Sequence, residues 1–221
     1  MEANKVMKTK FPRSNRWITG LATCAALAWL SAQAAAQAPA HKPGELDVAD
    51  SRVYILVGAT GLGHEHGVEG HLASGGVQLG AGQRAGELVF DMPSFVAETP
   101  AARKYVGLAG DADGRQVTIN MLGPDVLDVA NFPQAKFSIG SAVRDPATGQ
   151  YMLDGTFALH GVAQRIQVPA TAEMVNGMVH LRGQFAILQT QYGITPYSKA
   201  FGAVGVADKL TIWGDLWLYA R

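Results

Sequence analysis

The stretch LDGTFALHGVAQRIQVPATAEMVNGMVHLRGQFAI, residues 153–187, decides the fold. Leu153, Phe157 and Leu159 alternate with Asp154, Thr156 and His160; Ile166, Val168, Ala170 and Ala172 alternate with Arg165, Gln167, Thr171 and Glu173. Val179, Leu181, Phe185 and Ile187 then alternate with His180, Arg182 and Gln184. A period of two belongs to strands with one buried and one wet face. Gly161 and the pair Asn176-Gly177 separate the runs as turn signals, so the three strands read as an antiparallel meander. Strands in register put Phe157, Leu159, Ile166, Val168, Phe185 and Ile187 on one side of the sheet. The opposite side carries charges that would be costly to bury without partners. The apolar side is therefore expected to line one continuous interior.

Outward from this stretch, strands are expected at Arg52–Val57, Gly67–Leu72, Gly75–Leu79, Glu87–Asp91, Ala135–Ile139 and Lys209–Tyr219. Eight to nine short antiparallel strands suit a closed barrel or a sandwich. Two segments have helical character. Thr99-Pro100 supplies an N-cap and a first-turn proline for a helix over Thr99–Ala109. Asp113 with Gln116 three residues on suggests a capping box for a second helix over Asp113–Leu122, stopped by Gly123-Pro124. The expected fold is mainly β, a single antiparallel barrel of about eight strands with two short helices near one mouth. On the last strand Trp213, Trp217 and Tyr219 share one face and Leu210, Ile212, Leu216 and Leu218 the other. With both faces apolar, something must cover the aromatic one: a helix of the same chain, or a second copy in a homodimer.

The 221 residues suffice for one domain, and 18 basic against 18 acidic side chains leave no net field to draw in nucleic acid. The single cysteine, Cys24, allows neither an internal disulfide nor a thiolate cluster. Ahead of the strands, Lys5, Lys8, Lys10, Arg13 and Arg16 precede an apolar run over Ile18–Leu30 and small residues at Ala32, Ala34 and Ala36. That is the layout of a secretory signal peptide over residues 1–36, cut after Ala36 or Ala38. The run is shorter than the roughly 20 residues of a membrane helix, so no stable span is expected after cleavage. Residues 37–50 read as a linker, 51–221 as the domain, and the periplasm as its location.

Gly58-Ala59-Thr60-Gly61-Leu62-Gly63 has the wrong spacing for a dinucleotide loop. No G-x-S-x-G elbow or H-E-x-x-H stands in the chain, so no familiar catalytic route is supported. His64 and His66 point the same way on an extended strand, in line with Val68 and Leu72 and so toward the interior. Two imidazoles hold Zn or Cu only with a third ligand from elsewhere. We therefore take His64 and His66 as ligand contacts without a metal. A metal-dependent enzyme or metal-binding protein built on them is the alternative.

Several short segments resemble, in order, the YceI-like, polyisoprenoid-binding family. They are Gly63-His64-Glu65-His66, Asn120-Met121-Leu122, Phe132-Pro133-Gln134-Ala135-Lys136-Phe137, Leu159-His160-Gly161-Val162 and Tyr192-Gly193-Ile194-Thr195-Pro196-Tyr197-Ser198. The resemblance implies an exported lipocalin-like barrel whose interior, lined by Phe157, Leu159, Ile166, Val168, Phe185 and Ile187, takes an isoprenoid-type or quinone-like lipid; the chain is expected to be no enzyme and to use no cofactor. The chain departs from the family at Gln189-Thr190-Gln191, where many relatives carry Arg-x-Asp, so a charged contact there is not carried over.

Overall fold

The computed structural model describes residues 41–220; the expected signal segment lies outside them. Nine strands and two helices follow in chain order: β1 Arg52–Gly61, β2 His66–Val77, β3 Gly86–Ala97, α1 Pro100–Val106, α2 Arg115–Leu122, β4 Gln134–Arg144, β5 Tyr151–Leu159, β6 Val162–Val175, β7 Met178–Leu188, β8 Ser198–Lys199 and β9 Val204–Tyr219. β1 to β7 pair antiparallel in sequence order, β7 pairs with β9, and β9 closes on β1. The result is a closed eight-stranded antiparallel barrel, with β8 a two-residue addition to the edge of β9. Closure removes the free edges that an open sheet of this size would present. The expected strands Gly67–Leu72 and Gly75–Leu79 are one element, because β2 runs on through Gly75 with its ladder offset.

The deciding meander forms as read. His160-Gly161 and Asn176-Gly177 are two-residue turns with positive φ at both positions, the geometry whose twist matches a hairpin. Inward positions fill the lower barrel: Phe137, Leu153, Val168, Ala170, Leu181 and Leu216 are all buried. The bottom is closed by a segment expected to be linker. Leu46 is 5% exposed, and Gly44 and Leu46 donate backbone hydrogen bonds to Tyr219 and Gly75. One apolar side chain at the right place converts a Pro- and Asp-rich stretch into a plug.

Both helices differ slightly from their expected bounds. In α1, Thr99 Oγ1 accepts from the Ala102 amide, but Gly107 in the left-handed region ends the helix at Val106. The box at α2 does not form: Asp113 accepts from Arg115, while Gln116 turns to Asn120 instead. α1 leans on the outer wall, where Tyr105 stacks on Tyr54 at 4.0 Å and meets Trp213 edge-on. Trp217 stacks on His180 at 4.1 Å and Tyr219 on His41 at 3.7 Å. Each ring on the aromatic face of β9 thus has a ring neighbour within the chain, and all three remain half-buried. No helix among the described residues is long and apolar enough to cross a membrane.

Candidate functional site

The upper barrel holds a cavity of about 150 Å³ beneath α2. Its walls come from β1, β2, β3, β4, β5, β7 and β9, and its roof from Val117 and Met121 of α2 with Val126 and Leu127 behind them. The helical spacing of Val117 and Met121 is what turns both inward. α2 is tied down at two points: Thr118 Oγ1 accepts from the Ala97 amide, and Asn120 donates to the Tyr197 hydroxyl at 3.1 Å. β3 reaches the site through a bulge over Met92–Phe95, held by Ser94, which swings Phe95 inward over Gly70. A Cβ on Gly70 would stand 2.5 Å from the Phe95 ring, so this close packing requires glycine.

Of the residues singled out in the sequence, Phe157, Leu159, Phe185, Ile187 and His66 line this cavity. Val168 lines a second void of about 40 Å³ lower in the barrel. Ile166 borders neither space and is only half-buried. His64 is exposed in the turn ahead of β2, because the strand begins only at His66; its ring meets that of His66 edge-on at 4.4 Å. The two spaces are parted by rings: Phe157 stands edge-on to both Phe90 and Phe185, each at 5.9 Å, and to Tyr192 at 5.8 Å. Burial pushes the Tyr192 phenol above its ordinary pKa.

Four polar side chains break the apolar lining of the upper cavity: His66, Asn120, Gln189 and Tyr197. His66 is the most constrained. Its Nδ1 lies 2.7 Å from Glu98 Oε1, and the other Glu98 oxygen accepts from Arg103. Arg103 also donates to the Gly110 and Ala109 carbonyls, fixing the loop behind α1. The Glu98 side chain is 1% exposed and its backbone sits at φ +63°. An unpaired buried carboxylate would cost several kcal/mol, so the imidazole and guanidinium on its two oxygens are what make the position tenable. Glu98 holds the ring through Nδ1, so Nε2 is the ring nitrogen left to meet a ligand. Sequence reading missed Glu98 and Arg103. The only signal was a Glu directly ahead of a helix cap, which has no period. Among the described residues no three His, Cys, Asp or Glu side chains converge as a metal would require.

The sequence profile of the YceI-like domain matches residues 45–216. The chain belongs to the YceI-like family. BcnA of Burkholderia cenocepacia has the same fold, with 16% identity and a TM-score of 0.53, covering 78% of this chain and 98% of that one. A polyisoprenoid binding domain from Saccharophagus degradans, described as implicated in plant cell wall breakdown, matches at 15% identity and a TM-score of 0.49, covering 80% and 98%. No protein of curated function matched significantly. The matched span begins at Glu45, which agrees with the docking of Leu46 on the barrel.

Proposed function

We propose that this YceI-like protein is a carrier that holds one isoprenoid-type or quinone-like lipid in its barrel after export to the periplasm, and is not an enzyme. The observation that supports this most is an apolar cavity inside the barrel whose few polar groups include an imidazole held in place by Glu98. Such a lining suits an amphiphile with a hydrocarbon chain and one polar end. At 150 Å³ the resting cavity has the size of an apolar void that takes a single benzene. A longer chain needs the rings of Phe90, Phe157 and Phe185 to turn and join the two spaces. His66 is the contact for the polar end; His64 reaches the ligand only at its rim.

The test is titration of the delipidated protein with geranylgeraniol, followed by tryptophan fluorescence. Saturable binding at one lipid per chain, weakened about tenfold in His66→Leu, is expected; that factor is about 1.4 kcal/mol, the size of a single hydrogen bond. No saturation at any concentration would refute the reading. Amino-terminal sequencing of exported material is expected to begin at Gln37 or Pro39, and a start at Met1 would contradict export with cleavage.

A further inference from the structure

We propose that the lipid passes in and out through a window in the barrel wall between β6 and β7, with Phe185 as its door, rather than through the end roofed by α2. This rests on the lipid-carrier reading. The β6–β7 ladder runs from Val175↔Met178 only as far as Ala170↔Gly183. Beyond that rung, Val162–Pro169 pair with β5 alone and Gln184–Leu188 with β9 alone. At about 3.4 Å per residue, the run Gln184–Leu188, without a partner on its β6 side, is about 17 Å long.

The sequence supplies reasons for the split at this point. Pro169 would form the next rung opposite Gln184, and it has no N–H to give. At Gly183 the strands still pinch: a Cβ there would lie 3.0 Å from Val168 and 3.3 Å from the Pro169 carbonyl. Above, the window is framed by the 3-10 turn Gln189–Tyr192, where Gln164 donates to the Gln191 carbonyl at 3.2 Å and His160 contacts the Tyr192 carbonyl. The half-burial of Ile166 and Phe185, both at inward positions, follows from this gap.

Outside the wall lies a groove of about 630 Å³ over β6, β7 and β9. Phe185 borders that groove, the upper cavity and the lower void together, and no other described residue borders all three. Rotation of one ring would therefore join outside to inside. The roof offers no such economy. Opening it means breaking the Thr118 and Asn120 hydrogen bonds and exposing Val117 and Met121.

Gln167 and Ala186 are exposed, outward-facing and one on each side of the split, so a clamp between them leaves the interior untouched. In the full chain carrying Cys24→Ser, Gln167→Cys and Ala186→Cys, a disulfide-containing bis-maleimide would bridge the window. The probe is dansylated geranylgeraniol, with release followed after dilution. Clamping is expected to slow release at least tenfold, with the original rate restored by dithiothreitol. In Phe185→Ala without the clamp, association and dissociation are both expected to speed up, whereas loss of a mere contact would raise dissociation alone. Release at the same rate with and without the clamp would overturn the window while leaving the carrier reading intact. Failure of the unclamped protein to take up the probe would overturn the carrier reading, and the window with it.

Discussion

Glu98 shows what single residues contribute here. It sits in a backbone conformation unusual for a side-chain-bearing residue, with its carboxylate buried between His66 and Arg103. Strain of this kind persists only where the surroundings hold it in place. Glu98→Gln should destabilise the protein by about 3 kcal/mol, since Arg103 would then be left with a buried charge and no anion. Urea denaturation measures it, and a loss under about 0.5 kcal/mol would mean the triad is not structural. Inward parity in the sequence was enough to place Phe157, Leu159 and Ile187 around the cavity, because a strand side chain has only two directions. It was not enough for Ile166 or His64. Parity says which way a residue points, not whether the wall is closed there or where the strand begins.

At the level of elements, the hairpin turns were the most legible feature. Asn176 and Gly177 occupy φ +50° and +82°, a requirement written into the residue types themselves. Asn176→Val puts a β-branched side chain into the left-handed region and should cost about 1–2 kcal/mol, read as a lowered melting temperature. A variant as stable as the parent would mean that the turn is not what sets the β6–β7 register. The helices were legible in kind but not in extent. Thr99 announced α1 correctly, whereas Gly107 stopped it three residues early and Asp113 capped its turn without a box. Local capping competes with tertiary contacts, and only the former can be read from one chain.

For the whole molecule, the alternation along the strands suits a barrel or a sandwich alike; the closure of β9 on β1, the seam between β6 and β7 and the docking of Leu46 depend on contacts between distant segments. Phe157 joins the two readings of the interior, as packed core or as lipid tunnel. Phe→Ala in a solid core costs about 3–5 kcal/mol. Because Phe157 already borders open space, Phe157→Ala should cost less than about 3 kcal/mol in the delipidated protein while weakening geranylgeraniol binding. Thermal denaturation of both lipid-free and lipid-loaded protein checks it; the full core penalty with unchanged binding would contradict a tunnel.

Native mass spectrometry of protein purified from the periplasm without detergent reads whether one lipid sits inside one barrel. A species heavier than the processed chain by one isoprenoid-type lipid, recovered in the organic extract, is expected. A chain at its bare mass that also takes up no geranylgeraniol when offered it would mean that the barrel carries no such lipid.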